Sequence, residues 1–208
     1  MRVERAFGFV DICGFTAFTD RHDDARVVLV LAELRTALRE ASARRGVRVV
    51  KWLGDGAMLS STMPDALVAL VVEIDVRMSE ALPNLPVRAG MASGPVIMFE
   101  GDDYIGRAVN LASRLCDLAG PHELLATAPI AGETPAWVTA VPSGATEISG
   151  LREPVEIWKV CLADSGDDPI TDPVCGLVVP RPAALVAPGG DLFCSLACAE
   201  AERQPIAP

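Results

Sequence analysis

Between residues 5 and 12 the chain reads RAFGFVDI, a β-rich apolar run that ends around an aspartate, Asp11, and gives way at once to Cys-Gly-Phe-Thr. A run of that length suits a buried strand. From about Asp23 to Arg45 the period changes: Val27, Leu31, Leu34 and Leu38 recur at helical spacing, and Gly46 stands where a C-terminal cap belongs. A buried strand feeding such a helix through a short turn calls for a sheet with helices laid on it. The segments VRVVKWLG and AMLSST flank Asp55-Gly56 and predict a tight hairpin with Asp55 at its tip. Residues 65–81 predict a second helix, VRAGMAS and VIMFE a second hairpin about Gly94-Pro95, and RAVNLASRLCDLAG a third helix closed by Gly120. Short strands are expected at 123–128, 136–141, 145–149 and 154–161. The order gives an α+β or α/β sandwich without internal repeats.

At 208 residues the chain can fill one core of ordinary domain size and carry a small appendage. The polar stretch 163–172, ADSGDDPITD, reads as a linker. No uninterrupted apolar stretch approaches the roughly 18 residues that span a bilayer, and residues 1–9 carry charges in place of a signal-peptide core. A cytoplasmic protein with no membrane partner is expected. The formal net charge of −10 and the pI near 4.7 argue against a nucleic-acid partner, because phosphate affinity rests on clustered Lys and Arg. An anionic substrate then needs local cations or metals.

Asp11 and Asp55 lie 44 residues apart, one at the end of the first strand and one on the following hairpin. Neighbouring strands would bring them within metal-bridging distance, and two carboxylates with backbone carbonyls suit Mg²⁺ or Mn²⁺. The competing reading is that each carboxylate caps its own turn. Gly14, Phe15 and Thr16 offer backbone N–H groups at a strand-to-helix turn, a cradle for phosphate oxygens. Asn110 and Arg114 stand four apart in an otherwise apolar helix, so they share one face. An amide and a guanidinium projected together can hold the charge that develops at a reacting phosphate; a chance surface pair is the alternative.

Taken together, FVDICGFTAFTD, VVKWLGDGAM, VRAGMASGPV and DDYIGRAVNLASRL resemble, in order, the motifs of the class III nucleotidyl cyclases, and GLREPVEIWKV resembles that family's closing strand. The resemblance covers about residues 5–161. It implies a ferredoxin-like α+β sandwich, a mostly antiparallel central sheet flanked by helices, over residues 1–162. It further implies that Asp11 and Asp55, with the carbonyl of Ile12, hold two Mg²⁺ or Mn²⁺ ions. Lys51 matches the adenine-contacting lysine and Asp103 its purine-selecting partner, a pairing that favours ATP over GTP. By the same resemblance Asn110 orients the ribose, Arg114 stabilises the transition state, and Arg152 meets the terminal phosphates. The family shares each site between two protomers, so a homodimer converting ATP to cyclic AMP is expected. A guanylate cyclase, or a catalytically silent nucleotide- or metal-sensing module, is the alternative.

Three of the six cysteines, Cys175, Cys194 and Cys198, fall in the last fifth of the chain. In a reducing compartment such a cluster suggests a metal before a disulfide, and three thiolates suit Zn²⁺ or Cu(I). DPVCG and FCSLAC resemble the YHS or TRASH-like cysteine-rich metal modules, which places such a module at 171–208 after a linker at 163–170. No fourth ligand is obvious; Cys161 or solvent could complete a tetrahedron. Cys13 and Cys116 read as small core or turn residues, since no histidine stands near either in sequence.

Overall fold

The structure, a computed structural model, describes residues 2–99, 103–164 and 169–203. In chain order the elements are β1 (Arg2–Ile12), α1 (Phe15–Thr19), α2 (Asp24–Arg45), β2 (Arg48–Leu53), β3 (Gly56–Ser61), α3 (Pro64–Ala81), β4 (Val87–Phe99), β5 (Asp103–Ile105), α4 (Arg107–Leu118), β6 (Leu124–Thr127), α5 (Ala128–Ala131), β7 (Val138–Thr146) and β8 (Val155–Leu162). A tail follows: β9 (Pro169–Thr171), β10 (Val178–Pro180), β11 (Leu185–Val186), β12 (Leu192–Phe193) and α6 (Leu196–Arg203). The main sheet runs β2-β3-β1-β4-β6-β8-β7, with β5 paired to β4. The β4–β6 pair is parallel and the other pairings are antiparallel. This is the α+β sandwich expected from the sequence.

Period-2 alternation along β1 explains both layers. Ala6, Val10 and Ile12 point to one face, where they share a core with Val30 and Leu34 of α2 and Leu67 and Leu70 of α3. Phe7 and Phe9 point to the other face, against Leu111, Ala112 and Leu115 of α4. Asp11, in phase with Phe7 and Phe9, therefore stands on the α4 side. Helix α2 is capped as its sequence foretells: Asp23 accepts the Arg26 N–H at 2.8 Å, and Gly46 closes it in the left-handed conformation at φ 63°.

Four expectations need correction. The hairpin turn is Gly54-Asp55, not Asp55-Gly56; Leu53 pairs with Gly56, and Gly54 takes the positive φ of 67° that the turn requires. Gly94-Pro95 is no hairpin, because β4 runs straight through it with eleven consecutive pairs to β1. Between the segments of β4 that pair with β6 (89–91) and β5 (97–99), that stretch has a strand on one side only, where a proline lacking its N–H is tolerated. The strands expected at 136–141 and 145–149 are one strand, β7, joined through an irregularity between Pro142 and Gly144. Of the expected linker 163–170, residues 165–168 lie outside the described residues, and Pro169 and Ile170 already belong to β9.

The tail packs onto the α2–α3 layer. Ile170, Leu177, Val179, Phe193, Cys194 and Cys198 are buried in the same cluster as the α2 and α3 residues.

Candidate active site

Three neighbouring strands assemble the carboxylate end of the site. In the register Asp11 stands opposite Gly56 on β3 and opposite Arg88 on β4. Gly56 admits no side chain: a Cβ there would lie 2.5 Å from the Val10 carbonyl oxygen and 3.1 Å from Asp11 Oδ1. Glycine is therefore what lets the hairpin close onto β1 and bring Asp55 beside Asp11. Burial first, and then the Asp11 charge, raises the Asp55 carboxyl above its ordinary value. Two crowded carboxylates, with the chain continuing through Ile12 at the end of β1, form a hard-oxygen donor set that fits Mg²⁺ or Mn²⁺.

Arg88 is the residue that sequence reasoning missed. Its Nε and Nη2 donate to Asp11 Oδ2 at 3.0 and 2.7 Å, and its Nη1 donates to the Asp117 carbonyl at 3.3 Å. The guanidinium thus offsets part of the carboxylate charge and ties β4 to the end of α4. Only the strand register marks it, since residue 88 falls opposite Asp11.

After Asp11 the chain turns through Gly14, left-handed at φ 74°, into the short α1, where the Gly14 carbonyl accepts the Phe18 N–H at 3.0 Å. Phe15 stacks loosely on Phe18, with centroids 6.4 Å apart, and the Thr16 carbonyl accepts the Thr19 hydroxyl at 2.8 Å.

Lys51 on β2 and Asp103 at the start of β5 are 52 residues apart yet meet at 2.6 Å, both somewhat under half exposed. The hydrogen bond from Lys51, and then the Tyr104 N–H donated at 2.8 Å, lowers the Asp103 carboxyl below its ordinary value. On α4, Asn110 and Arg114 lie exposed on one face. They line a 360 Å³ cleft with Ser113, Ser149, Gly150 and Leu151, and Arg152 follows in the same loop. The seating of α4 depends on Gly90, where a Cβ would lie 2.2 Å from the Cys116 nitrogen and 2.3 Å from the Ala112 carbonyl. Asp11 lines a separate 160 Å³ cleft with Phe9, Leu53, Gly56, Ser113, Cys116 and Asp117. Asp11 and the Asn110/Arg114 pair of one chain therefore line two adjacent clefts that share Ser113 of α4. Cys116 is buried, and burial pushes its thiol up to about 12, in keeping with a core residue.

In the tail, Cys175, Cys194 and Cys198 converge, with Sγ–Sγ distances of 3.5 Å for Cys175–Cys194 and 3.6 Å for Cys194–Cys198. The fourth member of the group is Asp172, not Cys161; one ligand atom from each of Asp172, Cys175, Cys194 and Cys198 lies within 4.8 Å of the others. Cys161 is exposed on β8 and points its thiol at the Thr139 carbonyl. Asp172 is buried and heavily committed to the backbone: Oδ1 accepts from Val174 and Cys175 at 2.8 and 3.0 Å, and Oδ2 from Cys194 at 2.6 Å. It thereby ties both cysteine-bearing loops together. Hydrogen bonds within the trio lower the Cys198 thiol and raise that of Cys175. The donor set suits a soft cation.

The sheet carries helices on both faces, with Asp11 at the end of β1, Asp55 in the β2–β3 turn, and Asn110 and Arg114 on α4. The family described as adenylate and guanylate cyclase catalytic domain matches residues 5–131, and the chain belongs to it. An uncharacterized protein of Mycobacterium tuberculosis is 36% identical over 153 residues, which are 74% of this chain and 40% of that protein. An adenylate cyclase of Streptomyces coelicolor is 34% identical over 130 residues, 62% of this chain and 33% of that protein. The crystal structure of the adenylyl cyclase CyaB from P. aeruginosa has the same fold, with a TM-score of 0.67 at 23% identity, covering 81% of this chain and 97% of that one. The chain thus spans two fifths or less of the length of these two curated relatives.

Proposed function

We propose that the chain is a class III adenylate cyclase that converts ATP to 3′,5′-cyclic AMP and pyrophosphate, at sites completed by a second copy of itself. The observation that carries the choice of ATP is the Lys51–Asp103 pair at 2.6 Å. A lysine donor beside a carboxylate acceptor complements adenine, which presents an amino donor next to a ring-nitrogen acceptor. Guanine presents a carbonyl and a ring N–H there, the opposite arrangement.

In this reading Asp11, Asp55 and the Ile12 carbonyl hold two divalent cations. Such ions, when bound, lower the pKa of the ribose 3′-hydroxyl and neutralise the triphosphate. The protein residues position and compensate charge. The Asn110 amide orients the ribose so that its 3′-oxygen lies in line with the α-phosphorus. As the new P–O bond forms and the bond to pyrophosphate breaks, the Arg114 guanidinium receives the charge that accumulates on the α-phosphate oxygens. Arg152 and the N–H groups of Gly14, Phe15 and Thr16 hold the departing phosphates. Arg88 keeps the Asp11 carboxylate aimed.

A shared site is what the family resemblance implies, with Asp11 and the Asn110/Arg114 pair lining adjacent clefts that meet at Ser113. Exposed Ile97, Phe99 and Ile105 on β4 and β5 supply apolar surface for a homodimer to cover. We further read residues 1–162 as the catalytic domain and 171–208 as a YHS-like module that takes Zn²⁺ or Cu(I) through Cys175, Cys194 and Cys198 and modulates the cyclase. A cytoplasmic location accords with the free cysteines and with the absence, among the described residues, of a helix long and apolar enough to cross a membrane.

The test is incubation of the purified protein with ATP or GTP and Mn²⁺, followed by detection of cyclic nucleotide. Cyclic AMP is the expected product. Cyclic GMP alone would make the chain a guanylate cyclase, and no product from either nucleotide would favour a silent sensing module.

A further inference from the structure

The side chain of Arg45 in the last turn of α2 is only 1% exposed, and its guanidinium is divided between the catalytic core and the tail. On the core side Nε donates to Glu73 Oε2 at 2.9 Å, and Glu73 on α3 is fully buried. Arg44 also donates to Glu73, and Arg77 stands 3.7 Å from it. On the tail side Nη1 donates to the Ser195 hydroxyl at 3.1 Å, while Nη2 reaches Cys194 Sγ at 3.4 Å and Cys175 Sγ at 3.7 Å. One planar fork therefore serves as the counter-cation of a buried core carboxylate and as a donor to two sulfurs of the cysteine cluster.

Its position in the chain gives this fork a consequence. Gly46 caps α2 immediately after Arg45, the Val47 N–H returns to the Ser42 carbonyl at 3.1 Å, and β2 begins at Arg48. Strand β2 carries Lys51 and leads into the Gly54-Asp55 turn. A short, hydrogen-bonded stretch of backbone thus joins the tail's sulfurs to two residues of the proposed nucleotide site.

We propose that Arg45 couples occupancy of the cysteine site by a soft metal cation to the α2–β2 junction, and so to the strand that presents Lys51 and Asp55. The proposal rests on the metal reading of the tail given above. Its physical basis is linkage: a cation that binds only the assembled sulfur cluster opposes every opening motion that takes the cluster apart. The fork of Arg45 holds the Cys194 and Cys175 sulfurs in place, so opening the last turn of α2 weakens the cluster's hold on the cation, and the cation in turn opposes that opening. Arg45 is a positioning residue here, since it touches neither nucleotide nor the reacting atoms. Trp137 makes a second link, with Nε1 donating to the Cys194 carbonyl at 2.6 Å, but it leads into β7 at the far edge of the sheet.

The experiment is amide hydrogen exchange on the full chain with and without Zn²⁺, alongside measured metal stoichiometry, for the wild type and for Arg45→Lys. Lysine retains a cation for Glu73 but lacks the fork that also reaches the sulfurs. With free Zn²⁺ at about ten times its Kd, exchange through opening of residues 42–53 in the wild type is expected to slow by the factor by which losing the fork weakens Zn²⁺ binding, up to about tenfold. In Arg45→Lys the chain binds Zn²⁺ more weakly and, once loaded, gains protection at 172–198 and near Trp137, but residues 42–53 no longer respond. Wild-type chain that binds Zn²⁺ without slowing at 42–53, or an Arg45→Lys chain that responds there like the wild type, overturns the coupling. The wild-type comparison stands even if the variant does not fold. Failure of the wild type to bind either Zn²⁺ or Cu(I) overturns the metal reading, and the coupling with it; the stoichiometry, measured with each ion, tells that outcome from the other two.

Discussion

Asp11 is decided by its neighbours more than by its own chemistry. Its place in β1 puts it on the α4 face, Gly56 lets the hairpin approach it, and Arg88 holds one of its oxygens. The positions of the carboxylates, at a strand end and a hairpin, and of Asn110 and Arg114 on one helix face were legible in spacing. Spacing left turn caps and a chance surface pair open, however, and only the ordered motifs pointed to one site. Arg88, Arg45 and Asp172 were not legible. Arg88 gains its role from cross-strand register, Arg45 looks like an ordinary basic residue at a helix end, and Asp172 sits in a segment that reads as linker. At this scale the account predicts a divided effect for Asp103. Its lowered carboxyl keeps the contact with Lys51 intact above the ordinary carboxylate range and loses it only as the pH falls through the lowered value. Asp103→Ala should raise KM for ATP by about tenfold, the loss of one hydrogen bond to a charged group, with a smaller change in kcat. Steady-state kinetics with ATP checks this, and an effect confined to kcat would contradict the assignment to purine recognition.

Helix α4 illustrates how an element positions chemistry that it does not itself determine. Its polar face carries Asn110 and Arg114, but its height above the sheet is set by Gly90 on β4, where even one methyl group would meet helix backbone. Gly90→Ala is expected to cost about 1–3 kcal/mol in denaturant unfolding, as over-packing does, and to lower kcat further than that loss of stability explains, because α4 must lift. Unchanged kcat in a destabilised variant would mean that the height of α4 is not critical. Element boundaries were mostly readable from periodicity and glycine caps, as at Asp23 and Gly46 of α2. The Gly94-Pro95 pair misled because a turn signal says nothing of the eleven pairs that carry β4 past it.

For the whole molecule, the two helical layers follow from alternation along β1, whose apolar run supplies side chains to both faces of the sheet. The seating of the tail does not follow from any motif, because it depends on the Arg45–Glu73 bridge and on Trp137, which meet the cysteines only once the chain is folded. Completion by a second copy, as proposed, also belongs to this scale; within one chain Asp11 and the Asn110/Arg114 pair line adjacent clefts that share Ser113. Arg114→Ala alone should lower the rate by roughly 100- to 1,000-fold, comparable to losing one preorganised donor from an oxyanion site, and Asp11→Ala should be inactive. The most direct test of a site completed by a second copy is to mix these two variants and measure cyclic AMP formed from ATP. Heterodimers that pair an intact carboxylate half with an intact Asn110/Arg114 half should recover activity well above either variant alone. Continued inactivity, with subunit exchange demonstrated in the same mixture, would contradict the shared site.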